Sequence, residues 1–202
     1  MNRRQLVPSA LFLWLLTGGA AQALAQNLIM NSAETINVDN FKISAFPTVL
    51  LGEGDADNEW GLFSRFGYGF TPSFDVEGKV AFFSGIKLFG ADAELWLLKH
   101  HPDVSIAVGV HRSVRDAAPD STAFDGTLLA SGHIGSNLEV YGGLNLGFES
   151  LDDSDENFTR TYIVPGIEYR LSEQLDLLAE FGIGLNDDSP NYLSFGLALY
   201  FR

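Results

Sequence analysis

The chain has 202 residues, no cysteine, 26 acidic against 12 basic side chains and a formal net charge of −14. Such a surface repels a phosphate backbone, which excludes nucleic acid as an expected partner. The missing cysteines exclude disulfides and a lipid anchor on cysteine, and no glycine-rich phosphate loop points to a cofactor.

At the start of the chain Arg3 and Arg4 precede the apolar run from Ala10 to Leu16, and Ala23-Leu24-Ala25 fits a small-residue cleavage rule. This order of charge, grease and small residues is that of a secretory signal peptide over residues 1–25, too short in its apolar core to span a membrane. Its removal takes away two arginines and no acid, so the net charge goes from −14 to −16. Residues 26–40 are expected as an N-terminal periplasmic segment, with strand, periplasmic tail and plug all open for it, ahead of one all-β domain over 41–202.

From there the chain alternates apolar and polar residues in stretches of about ten, the period of a strand with one greasy face. The expected strands are 41–51, 59–70, 74–88, 92–100, 104–115, 122–134, 138–151, 158–171, 175–185 and 192–202, in an antiparallel barrel of eight to ten strands. Thr71-Pro72-Ser73, His101-Pro102-Asp103, Gly135-Ser136-Asn137 and Ser172-Glu173-Gln174 read as tight turns. Between them lie the acidic loops GEGDADN, DAAPDS, DDSDEN and NDDSPN, with a short connection expected at Phe89 to Ala91. Short turns at one end and longer loops at the other are the asymmetry of a transmembrane β-barrel.

In 104–115 the residues Val104, Ile106, Val108 and Val110 share one face, and Ser105, Gly109, His111, Ser113 and Arg115 share the other. A soluble sandwich alternates too. Here, however, the polar face mixes small residues with charges of both signs, as a narrow barrel interior does. The ions expected to face this lumen and pair within it include Arg65, Glu77, Lys79, Lys87, Arg115, Glu139, Arg160, Glu168, Arg170 and Glu180. Trp60, Phe70, Phe74, Tyr169 and Phe201 fall near strand ends, where rings favour a membrane interface.

The ending YLSFGLALYF, with GIEYRLSEQLDLLAEFGIGL (Gly166 to Leu185), resembles the small outer-membrane β-barrels of Gram-negative bacteria, the OmpA/OmpX-like group. The resemblance implies a location in the outer membrane, contact with its lipid and lipopolysaccharide, and insertion by the barrel-assembly machinery. In that group a terminal aromatic and the alternating hydrophobics before it are the assembly signal, which places the signal here on Phe201, Leu199 and Leu197. Arg202 departs from the pattern, since the group usually ends on the aromatic.

The expected function is non-enzymatic: a structural or surface-interaction role, or a narrow, porin-like pore. Asp152, Asp153, Asp155 and Glu156 supply hard oxygen ligands for a divalent cation, but without the spacing of an EF-hand loop. One alternative is an esterase. The His111-Arg112-Ser113 stretch resembles the H-x-S of outer-membrane lipid A deacylases, with Asp125 as the orienting acid. Val114 stands in place of that family's asparagine, Asp125 in place of its glutamate, and the phase turns His111 and Ser113 toward the lumen. The other alternative is a soluble, lipocalin-like periplasmic carrier, which needs a shared dry core. His100, His101 and His133 show no ligand spacing.

Overall fold

The computed structural model describes residues 29–52, 57–116, 118–152, 154 and 156–202, so the expected signal peptide lies outside the described residues. The described chain forms ten strands: β1 (Phe41–Leu50), β2 (Glu59–Thr71), β3 (Phe74–Phe83), β4 (Ile86–Leu98), β5 (Asp103–Arg115), β6 (Ser121–Ile134), β7 (Leu138–Leu151), β8 (Asn157–Ser172), β9 (Leu175–Gly184) and β10 (Tyr192–Phe201). Each strand pairs antiparallel with its chain neighbours. β10 pairs back onto β1, from Phe41 opposite Phe201 to Leu50 opposite Tyr192, and closes the barrel. Three register shifts, at Gly69/Thr71, Trp96/Leu98 and Arg170/Ser172, all sit where strands meet the short turns.

The burial is inverted relative to a soluble protein. Phe124 is 62% exposed and Val108 58%, whereas Lys42, Glu77 and Glu180 are 1–2% exposed. Apolar rows cover the outer wall and ions line the inside, so the soluble-carrier alternative fails.

One boundary differs from the sequence reading. The connection expected at Phe89 to Ala91 lies instead at Ser84 and Gly85, where Gly85 takes φ 73° and β3 turns directly into β4. A two-residue turn of this kind favours glycine at positive φ. Phe83 then faces Ile86 across the hairpin, which puts Ile86 and Leu88 inside and leaves Lys87 and Phe89 outside. Lys87 is therefore not a lumen ion.

Residues 29–40, of the segment for which the sequence leaves strand, periplasmic tail and plug all open, lie for the most part inside the barrel. From β1 the chain runs back through Asp39 at φ 61° and enters the lumen at the short-turn end. Val38 forms a parallel bridge with Gly69, while the Asp39 amide donates to the Gly69 carbonyl (3.0 Å) and the Gly69 amide to the Asn40 carbonyl (3.1 Å). Ile29, Met30, Ala33 and Ile36 are buried inside the barrel. Toward the loop end, Ile29 and Met30 join an apolar layer with Phe46, Phe63, Leu88, Tyr162 and Tyr192.

The wall is cut to receive this segment. A Cβ on Gly69 would stand 2.3 Å from the carbonyl oxygens of Ile36 and Asn37, and one on Gly143 would stand 2.4 Å from Ile29 Cδ1. Side chains at these places would collide with the inserted backbone, a cost of about 1–3 kcal/mol for an overpacked site. Gly69→Val is expected to lower the unfolding free energy, read from urea titration of the barrel folded in lipid, by that amount. Gly132→Val, where a Cβ meets nothing within 4 Å, is expected to leave it unchanged.

Candidate functional site: the charged lumen

Strand alternation aims the polar residues of β1 to β4 at one another across successive registers, and they form a continuous ion network. Lys42 Nζ lies 3.2 Å from Glu77 Oε1, Arg65 Nε 2.8 Å from Glu77 Oε2, Arg65 Nη2 3.0 Å from Asp92 Oδ2, and Lys79 Nζ 2.7 Å from Asp92 Oδ1. Each charge has an opposite partner within contact, the condition for keeping ions out of water. Nearer the loop end a second group centres on Glu149, which pairs with Arg115 and, at 2.5 Å, with Arg160.

The inserted segment is held by side chains rather than by a ladder. Glu180 accepts from the Ile29 and Met30 amides (3.1 and 2.6 Å) and from the hydroxyls of Tyr141 (3.1 Å) and Tyr192 (2.8 Å). The Ala33 amide donates to Ser131 Oγ (3.2 Å) and the Ile36 amide to Asp75 Oδ2 (2.7 Å). Asn31 donates to Glu94 Oε2 (2.6 Å) and accepts from Lys42 (2.6 Å), and Arg65 donates to the Ile29 carbonyl. A backbone without sheet partners needs acceptors of this kind wherever water is excluded.

Of the residues singled out from the sequence, Arg65, Glu77 and Lys79 meet in the first network, and Arg115 and Arg160 in the second. Glu180 joins neither and serves the segment. Glu139, Glu168 and Arg170 belong to the short-turn end, where Arg170 Nε is 3.8 Å from Asp176. Asn31, Asp92, Tyr141 and Tyr192 were not foreseen. The alternation of β4, β7 and β10 does place the last three inward, whereas nothing in the irregular stretch containing Asn31 marks it.

His111 Nε2 bonds Asp125 Oδ1, which places the two side by side in the lumen, and Asn145 Nδ2 donates to the other Asp125 oxygen (3.2 Å). Ser113 is buried in the lumen and makes no hydrogen bond with His111, whose Nδ1 has no partner among the described residues. Asp92, His111 and Asp125 present one ligand atom each within 4.8 Å of one another. Lys79 already sits on Asp92 at 2.7 Å, and Arg65 adds a second cation at 3.0 Å, so a metal ion there would meet two fixed positive charges.

On the outer rim, Arg112 clasps Asp152 (2.9 and 2.5 Å) and Asp120 (3.3 Å). The hydrogen bond from Arg112 holds the Asp152 carboxyl below the ordinary aspartate range. This oxygen pair is thereby occupied, Glu156 is exposed, and Asp153 and Asp155 lie outside the described residues. Phe201, Leu199 and Leu197 form an outward row on β10, with the Phe201 ring stacked on Phe41 across the closing seam at 5.7 Å.

No curated protein sequence matches the chain. Among solved structures, an outer membrane channel from Pseudomonas putida F1 aligns with TM-score 0.54 and 9% identity, covering 87% of this chain and 100% of that one. Omp33 of Acinetobacter baumannii gives TM-score 0.45 and 10% identity over 81% of this chain and 98% of that one. Ail of Yersinia pestis gives 0.43 and 14% over 81% and 99%. At these identities the first likeness bears on fold alone. The family model described as the outer membrane protein beta-barrel domain matches residues 11–201. With a closed ten-stranded barrel, an apolar outer wall and that match over most of its length, the chain belongs to the outer membrane protein β-barrel domain family and is a protein of the outer membrane.

Proposed function

We propose that this protein is a closed, non-enzymatic barrel of the outer membrane, serving as a structural and surface-interaction element rather than as a standing pore. The observation that carries this reading is the filled lumen. The inserted segment occupies the short-turn half, and the apolar layer of Phe46, Phe63, Tyr162 and Tyr192 with the Arg115–Glu149–Arg160 group occupies the loop half. An ion crossing this path would have to displace packed rings and salt bridges, whereas conduction requires sites that are weak enough to leave.

The esterase reading has the weaker support. His111 and Ser113 are turned away from the lipid, His111 is engaged by Asp125, and no hydrogen bond links it to the would-be nucleophile. A nucleophile and its base need to be within hydrogen-bond reach of each other and of the substrate. The partners that fit the exterior are the lipids of the outer membrane and lipopolysaccharide, with the acidic rim facing the headgroup region. The outward row Leu197, Leu199 and Phe201 suits recognition by the barrel-assembly machinery before β10 closes on β1.

The test is single-channel recording of the folded chain, starting at Gln26, in a planar bilayer. Silence from a sample whose gel migration shifts on heating is the expected outcome. Reproducible conductance steps would overturn the closed-barrel reading and make the lumen acids selectivity elements.

A further inference from the structure

At the short-turn end, a second group of ligand-type side chains differs in kind from the one around His111. Glu34 of the inserted segment, His133 of β6 and Glu139 of β7 each offer one ligand atom, and these atoms lie within 4.8 Å of one another. His133 and Glu139 are direct cross-strand partners around the Gly135-Ser136-Asn137 turn, so the hairpin itself holds them side by side on one face. Glu34 reaches them from the segment, its Oε1 2.9 Å from His133 Nε2.

Further observations point to an ion. Glu139 is 3% exposed; the Ser131 and Ser32 hydroxyls hydrogen-bond its carboxyl, and its Oε1 is left with no partner within hydrogen-bond distance among the described residues. Glu168 stands directly opposite Glu139 on β8, which sets three carboxylates near one imidazole, with Arg170 also lining that end. The His101 ring lies 6.2 Å from that of His133, centroid to centroid, and brings another nitrogen donor to the border of the group. Among the described residues no lysine or arginine forms a salt bridge with Glu34 or Glu139, in contrast to Lys79 on Asp92. A polar cavity of about 240 Å³ beside Glu34 opens the area to water at the short-turn end.

We propose that Glu34, His133 and Glu139 bind a divalent ion of the zinc class, and that this ion ties the inserted segment to the barrel wall. One imidazole with two carboxylates suits such a borderline ion better than magnesium or calcium, which take oxygen donors throughout. The ion would link Glu34, at the middle of the segment, to a hairpin about 100 residues further along the chain, a span given by the His133–Glu34 separation of 99. The inference rests on the segment being seated as in the closed-barrel reading, but the two fail separately: a barrel that conducts can still bind zinc, and a silent barrel can lack the site.

The experiment is calorimetric titration of Zn²⁺ into the untagged chain from Gln26, folded in detergent micelles, with Mg²⁺ and Ca²⁺ titrated in parallel. The expected result is one Zn²⁺ per chain, with affinity falling about tenfold or more in each of Glu34→Gln, His133→Ala and Glu139→Gln, since even outer partners of a metal cost that much. Glu156→Gln, on the far rim, is expected to bind as the parent does. Folding of every variant is checked by heat-dependent gel migration. Absence of Zn²⁺ binding to folded parent protein would overturn the proposal, leaving Glu34 and His133 a simple ion pair. Binding that survives Glu34→Gln or removal of residues 26–37 would overturn the tie between segment and wall.

Discussion

The pairing of β1 with β10 is the contact on which the molecule depends. Hydrocarbon offers no hydrogen bonds, so an open sheet edge in the membrane would leave a row of amides and carbonyls unsatisfied at several kcal/mol each. Closure from Phe41/Phe201 to Leu50/Tyr192 removes the edge. It also forces every second side chain inward, where a ten-stranded circumference leaves space too wide for wall residues alone to fill with alternating small and large groups.

That residual space explains the lumen. The wall contributes carboxylates and cations in adjacent registers, and Lys42, Arg65, Glu77, Asp92 and Lys79 neutralise one another in a chain of contacts. What remains is occupied by residues 29–38, whose unpaired backbone is received by Glu180, Ser131 and Asp75 and whose path is opened by Gly69 and Gly143. Charge and segment are mutually dependent: among the described residues no cation forms a salt bridge with Glu180, and the Ile29 and Met30 amides, with the Tyr141 and Tyr192 hydroxyls, satisfy it instead.

Much of the barrel was legible because its physics is periodic. Hydrocarbon outside and ions inside impose a period of two, and the row Leu193, Phe195, Leu197, Leu199, Phe201 displays it without interruption. The Ser84–Gly85 turn was hidden because the alternation resumes at once on its far side, and only the change of phase at Ile86 betrays it. The inserted segment could not be read, since it has no period and its partners lie up to 151 residues away. His133 looked solitary for the same reason, although its pairing with Glu139 follows from the position of the Gly135 turn. Glu34 does not follow from anything local.

The central claim, that residues 29–38 sit inside the barrel and are bonded there, is tested most directly by amide hydrogen exchange of the folded chain in micelles. The account predicts that the Ile29, Met30, Ala33 and Ile36 amides exchange as slowly as those of neighbouring strands, because each is buried and donates to a wall side chain. Exchange of these four at the rate of a free chain, while β1 and β10 stay protected, would contradict it and would return the segment to the periplasm.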